Sequence, residues 1–262
     1  MKIMKKTVAV FLTMIMLAAM LTCRVMAEEN AAADCFRFDY SKSNIKAQYA
    51  EWYFSDYATA DVARDTGTLN VQGVAVKRGG YQNYDCSFEI LLSENSYSKT
   101  YFISKFIMGE LMSLAPSGLT VNDLPSWNKN SRPGYMGVML GLGKDGLEVV
   151  VHTYDTKSDS GYGNINAAFA LPAGVEVQNG MTVRVVDTGN RVEYYIEDTK
   201  IASVVLTAEE GSEHIRAEIL DANGAKLAET AKAHVDLQGT IGFISRGSVF
   251  KLKNIGMTAL SG

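Results

Sequence analysis

The sequence predicts an all-β fold, a two-sheet antiparallel β-sandwich. Apolar and polar residues alternate with period two over long stretches, which is the pattern of half-buried strands. These stretches follow one another at short intervals across Gly- and Asn-bearing reversals. No Pro/Ser-rich linker, low-complexity tract or repeat divides them, so one domain is expected.

In chain order, the first feature is a leader. Lys2, Lys5 and Lys6 are followed by an uncharged run from Thr7 to Cys23, the charged and apolar regions of a secretory signal peptide. Val25 and Ala27 precede Glu28 at the positions where signal peptidase accepts small side chains, so the signal is read as residues 1–27. The apolar run is short for a bilayer span, and no transmembrane anchor is expected after cleavage. The expected localisation is secreted and extracellular. Leu21-Thr22-Cys23 has the outline of a lipobox, which leaves a lipoprotein at Cys23 as the alternative, although Thr22 is larger than the usual Gly, Ala or Ser.

The leader takes four basic residues and no acid with it, leaving 21 basic against 29 acidic residues and a net charge of −8. An acidic body without a basic stripe argues against a nucleic-acid partner. A short polar arm, 28–33, then leads into the domain, 34–262. Two cysteines remain in it, Cys35 and Cys86, which an oxidising compartment could bridge or which could be two buried thiols.

Within the domain, Tyr84 to Leu92 alternates Tyr84, Cys86, Phe88, Ile90 and Leu92 against Asp85, Ser87 and Glu89. Leu147 to Tyr154 sets Leu147, Val149 and Val151 against Glu148, Val150, His152 and Tyr154. Ser104 to Ala115 departs from the pattern. Phe106, Ile107, Glu110, Leu111 and Leu114 fall at helical spacing, so a helical turn or two is expected there. Pro116 to Gly134 reads as a long loop containing Trp127. From Met181 to Val205, Gly189-Asn190 and Asp198-Thr199-Lys200 mark reversals in a three-stranded meander. A hairpin follows, Ile215 to Leu220 and Lys226 to Val235 around Ala222-Asn223-Gly224. The chain closes with two segments, Gly239 to Ile244 and Phe250 to Ile255.

The strand Tyr84 to Leu92, the meander Val183 to Val205 and the closing Gly239-Thr240-Ile241-Gly242-Phe243 with Lys253-Asn254-Ile255 together resemble the concanavalin A-like lectin/glucanase superfamily, in particular its laminin-G-like and DUF1080-like branches. The resemblance spans most of the domain and implies a jelly roll whose concave sheet is available to a sugar. It concerns scaffold, and scaffold does not fix chemistry. Laminarinase-like members carry E-x-D-x-x-E on one strand, because a retaining mechanism needs two carboxylates roughly 5 Å apart. That pattern is absent here, as are the asparagine-serine-glycine and glutamate-rich motifs of the DUF1080 proteins. Glu193 and Glu197 share a strand parity with Tyr195 between them, which reads as a solvated outer face.

Other chemistries lack their residues. His152, His214 and His234 are the whole histidine complement, too scattered for the short spacings of zinc ligands, and no Gly-x-Ser-x-Gly elbow is present. Gly141-Leu142-Gly143 lacks the strand-then-helix context of a dinucleotide cradle. Asp155 to Asn164 offers several oxygen ligands, so Ca2+ is the one cofactor left open, but the spacing is not that of an EF-hand and a polar connection explains the loop equally.

Sugar recognition asks for an aromatic ring beside fixed donors and acceptors. Trp127, His152, Tyr154 and Arg246, with Glu89 as a hydroxyl acceptor, form the candidate ligand-binding set. The expected function is that of a secreted, lectin-like carbohydrate-binding protein without catalysis, its partner a glycan or oligosaccharide. A glycoside hydrolase or lyase of the same fold and an adhesive surface domain binding protein are the alternatives.

Overall fold

The computed structural model describes residues 34–37, 52–54, 60–63, 68–77, 80–91, 100–107, 137–143, 146–155, 162–176 and 180–260, with the side chains of 34–37, 52–54, 60–63, 68–76, 91, 162 and 245–250 outside the description. Its regular structure is β throughout: β1 (Asp34–Arg37), β2 (Trp52–Phe54), β3 (Ala60–Ala63), β4 (Thr68–Lys77), β5 (Tyr84–Leu91), β6 (Thr100–Phe106), β7 (Val138–Gly143), β8 (Gly146–Tyr154), β9 (Tyr162–Phe169), β10 (Met181–Asp187), β11 (Arg191–Ile196), β12 (Thr199–Ala208), β13 (Ile215–Asp221), β14 (Lys226–Ala233) and β15 (Thr240–Ala259). Among these residues no helix is long and apolar enough to cross a membrane.

All pairings are antiparallel, and β15 organises them. Its residues 242–245 lie between β4 and β6, residues 251–252 between β4 and β5, and residues 256–258 between β1 and β5. One long strand therefore serves two sheets. The first runs β15-β5-β10-β11-β12-β13-β14 and the second β2-β4-β15-β6-β7-β8, with β9 beyond β8. The far ends meet where Ala233 of β14 pairs with Thr153 of β8, so the strands close into a two-layered sandwich.

The inward residues follow the alternation read from the sequence. Tyr84, Cys86, Phe88 and Ile90 of β5, Val183 and Val185 of β10, Val192, Tyr194 and Ile196 of β11 and Val204 and Leu206 of β12 face Phe102, Leu140, Val149, Val151 and Phe243 of the second sheet in one core. Phe88 stacks on Phe102 with centroids 5.6 Å apart and meets Phe243 edge-on at 5.2 Å, so three rings from three strands lock the layers together. Each such ring contributes about 1.5–3 kcal/mol by leaving water.

The two outward faces differ. On the second sheet Tyr101, Ile103, Met139, Val150, His152 and Ile244 have the parity opposite to the core, yet none is more than 4% exposed. The first sheet turns half-exposed charged and polar side chains outward. That polar face is the surface on which recognition can be built.

Turn chemistry sets the register of this face. Gly189-Asn190 is the loop of the β10–β11 hairpin, Gly189 sits at φ +87°, and the pairing Asp187↔Val192 follows. At the β11–β12 hairpin Glu197 and Asp198 both occupy the left-handed region, at φ 48° and 62°, as a type I′ turn requires. Side chains other than Gly, Asn and Asp resist that region, and Glu197 is held there by two bonds: its amide donates to Thr182 O at 3.0 Å, and its Oε1 accepts from the Thr182 amide at 2.6 Å.

Two sequence expectations are corrected. Ser104 to Phe106 end strand β6 instead of opening a helix, because Phe102 and Phe106 bury at sheet edges that β7 and β15 complete; the rest of that segment beyond 107 lies outside the described residues. The two closing segments are one 20-residue strand, whose register shift between Ser245 and Phe250 carries it from one sheet to the other.

Candidate functional site

Because β5, β10, β11 and β12 are neighbours in register, their outward residues form rows across the first sheet. Ser87, Arg184, Tyr195 and Lys200 make one row, and Asp85, Val186, Glu193 and Ser203 the next. Arg184 is the hinge between them. Its Nε and Nη2 donate to the Asp85 carboxylate at 3.0 and 2.7 Å, and its guanidinium carbon lies 5.4 Å from the centre of the Tyr195 ring. The forked bond fixes the plane of the guanidinium, whose charge lies over the ring within cation–π range.

Beyond the ring, Tyr195 Oη donates to Glu193 Oε2 at 2.7 Å, Lys200 Nζ donates to Glu193 Oε1, and Arg191 lies 3.7 Å from the same carboxylate. Burial pushes the Glu193 carboxyl up, but the hydrogen bonds from Lys200 and Tyr195 outweigh it and hold the group below the usual carboxylate range. The Arg184 guanidinium is raised, first by its bond to Asp85. Further along the face, Glu89 accepts from Asn254 Nδ2. The result is a half-buried aromatic ring framed by oriented donors and acceptors.

A second constellation lies at the seam where β14 meets β8. It gathers all three histidines, which are far apart in sequence. His152 Nδ1 and His234 Nδ1 are 2.8 Å apart and both rings are buried. Tyr154 packs against His234 at 4.4 Å and against His214 at 5.1 Å between ring centres. Burial, and then the neighbouring His234, lower His152 to about 3. Among the described residues no group of three or more His, Cys, Asp and Glu side chains is arranged to hold a metal ion.

No family model matches the chain, and no curated protein matches its sequence. Solved structures do show similarity in shape. A carbohydrate-binding module, CBM66, from Bacillus subtilis covers 80% of this chain and 96% of its own at 10% identity and a TM-score of 0.42. A Bacillus subtilis protein of unknown function with a galectin-like fold covers 86% and 96% at 11% identity and a TM-score of 0.47. An endo-β-1,3-glucanase from Pyrococcus furiosus covers 79% and 74% at 12% identity and a TM-score of 0.37.

The sequence-predicted residues divide between these places. His152 and Tyr154 come together at the seam, where His152 is 2% exposed and its Nδ1 faces His234. Glu89 belongs to the outward face of the first sheet, so it does not share a surface with them. Trp127, and the side chains of Arg246 and Cys35, lie outside the described residues; Cys86 is buried in the core. Of the Asp155 to Asn164 loop, Tyr162 to Asn164 are strand β9, paired with Tyr154, Thr153 and His152. Sequence reasoning missed Arg184, Asp85 and Lys200. A two-residue Gly189-Asn190 loop does imply that Arg184 faces Tyr195, so the signal was present in the hairpin register. The approach of Asp85 was not, since β5 lies about a hundred residues upstream of β10.

Proposed function

We propose that this is a secreted, non-catalytic carbohydrate-binding protein whose ligand lies on the outward face of β5, β10, β11 and β12. The observation that carries the reading is the Tyr195 ring held between Arg184 and Glu193. A sugar presents an apolar CH face ringed by hydroxyls, and binds where an aromatic surface stands beside donors and acceptors that need no reordering. Arg184 is oriented by Asp85, and Glu193 by Lys200 and Tyr195, before any ligand arrives. Glu89 extends the same face and can accept from a hydroxyl at its rim.

Absence of catalysis on this face is supported by the state of its two central acids. A glycosidase acid needs a carboxyl raised toward neutrality, whereas Glu193 is held down by its donors and Asp85 is committed to a forked bond with Arg184. Secretion is supported by the basic start, the uncharged run and the small residue Ala27 before Glu28. Protein recovered from culture medium should have an intact mass beginning at Glu28.

A glycan array followed by calorimetry tests the main reading. Tyr195→Ala should weaken binding of the array ligand about ten-fold, the loss of one stacked ring, while the parent protein releases no reducing sugar from that ligand. A parent that binds no glycan, a Tyr195→Ala variant that binds as the parent does, or reducing-sugar release that a carboxylate replacement abolishes would each overturn it.

A further inference from the structure

The closure of the sandwich at its β14 end is thin. Along β14 the partner β13 is paired from Lys226 to Ala233, but on the other side the ladder to β8 consists of Ala233↔Thr153, with the His234 amide donating to His152 O at 2.8 Å. The side chains of those same two residues meet across the seam, Nδ1 to Nδ1 at 2.8 Å, at 2% and 3% exposure. A neutral imidazole has one N–H and one bare nitrogen, so a contact of this kind holds when a single proton lies between the rings, one Nδ1 donating and the other accepting. When both rings are imidazolium each Nδ1 bears a proton, and two N–H groups with like charges point at each other.

We propose that the His152–His234 pair is an acid-sensitive latch, which holds β14 on β8 while one proton is shared and releases the seam when both rings become charged. The surroundings give the latch its direction. Asn164 of β9 lies opposite His152 in the ladder, and the His152 amide donates to Gly137 O before β7. Tyr154 covers His234 from β8, and His214 reaches Tyr154 from the start of β13. Asp236, two residues past His234, turns away: its Oδ1 accepts from the Gln238 amide, and its own amide donates to Lys105 O. Asp155 lies beside Gly163. Lys232, on the exposed side of β14, adds a like charge close by in sequence. The lowering of His152 by burial and by His234 agrees with this geometry. The open seam, with both rings in water, binds more protons than the closed one, so acid drives opening.

The loosening is local by construction. Beyond the seam, β14 remains paired with β13, and the β10–β11–β12 ladders carry no histidine. Opening would free the β14 edge and uncover Tyr154 and His214, leaving the core intact. Such sub-global openings are a regular property of sheet edges with few ladder bonds.

Amide hydrogen exchange on the full chain from pH 7.5 to 4.5, corrected for the intrinsic pH dependence of exchange, tests the latch. The amide of His234, which donates across the seam to His152 O, should lose protection below pH 6.5, up to about ten-fold per pH unit for one proton taken up on opening, while those of Val183 and Val185 stay protected. In His152→Gln/His234→Gln, which can still hydrogen-bond but cannot titrate, the seam protection should be flat with pH. Should that variant not fold, the ring nitrogens of His152 followed by NMR in the parent give the same answer, staying neutral to below pH 5 in the closed state. Seam protection that does not change from pH 7.5 to 4.5, or a His152 ring that titrates near 6.5 in the folded protein, would overturn the proposal.

Discussion

Lys105 Nζ lies 2.7 Å from Asp187 Oδ2, and neither side chain reaches solvent. The ammonium also donates to Gly189 O at 2.9 Å and to Leu237 O, so its three protons are all used. Asp187 in turn accepts from the Gly189 amide at 2.7 Å. The pair thus ties β6 of one sheet to the β10–β11 turn of the other and to the segment before β15. Burial works against both charges, lowering the lysine and raising the aspartate, and their mutual attraction offsets part of that effect.

Removing one partner should therefore be far worse than removing both. Lys105→Met leaves a carboxylate in the core without its counter-charge, at a cost of roughly 3–5 kcal/mol. Adding Asp187→Asn keeps the bond from the Gly189 amide and removes the stranded charge, so the double variant should recover part of that loss. Urea unfolding of the two variants beside the parent checks this, and a double variant less stable than Lys105→Met would contradict it.

Two glycines should respond to alanine for opposite reasons. A Cβ on Gly239 would stand 2.4 Å from the Lys105 carbonyl carbon and 2.5 Å from its Cα, where only backbone movement could make room. Lys105 itself is at φ 56°, so that backbone is already in a demanding conformation. At Gly224 a Cβ would meet nothing within 4 Å, but φ is +88°. Gly224→Ala should cost about 1 kcal/mol of backbone strain, and Gly239→Ala should cost more than about 2 kcal/mol through overpacking. Thermal unfolding of the pair gives the order.

How far these features could be read in advance depended on how local their causes are. The meander β10–β11–β12 and the hairpin β13–β14 follow from alternation and three turn sequences within some fifty residues, and they stand as expected except that the second reversal falls at Glu197-Asp198, with Thr199 and Lys200 already in β12. The bridge from Phe250 back to Thr240 did not, because nothing in the sequence between them says that one strand will serve two sheets. His152 and Tyr154 share one face of β8, but the burial of His152 depends on what that face meets, which alternation does not encode. The Lys105–Asp187 tie is 82 residues long in sequence, and a lysine in an alternating strand gives no sign of pointing into the core.

Stability should fall with acid through His152. In the folded chain burial and His234 depress its pKa to about 3, against about 6.5 for an unperturbed histidine. A lowered histidine means that the unfolded chain takes up the proton first, so the contribution is whole above pH 6.5 and is lost as pH falls from there toward 3. Within that window one proton corresponds to about 1.4 kcal/mol per pH unit. Urea midpoints measured from pH 7.5 to 4.5 should decline for the parent and decline less for His152→Gln, and equal slopes would contradict the assignment.

The proposed glycan face makes a prediction that separates binding from folding. Arg184 and Asp85 are 42% and 28% exposed at the side chain, and pairs this open contribute at most about 1 kcal/mol to stability. Arg184→Lys keeps the charge but loses the fork that fixes the guanidinium plane over Tyr195. A lysine ammonium is a point donor on a flexible stem, and it cannot stack on the ring while holding Asp85. The variant should therefore unfold within a few degrees of the parent, roughly what a change below 1 kcal/mol permits, yet bind the array ligand several-fold more weakly. Asp85→Asn should do the same more mildly, since it loosens the arginine without removing it. If Arg184→Lys binds as tightly as the parent, the guanidinium does not touch the sugar, and if it unfolds far earlier, the face is scaffold and not a recognition surface.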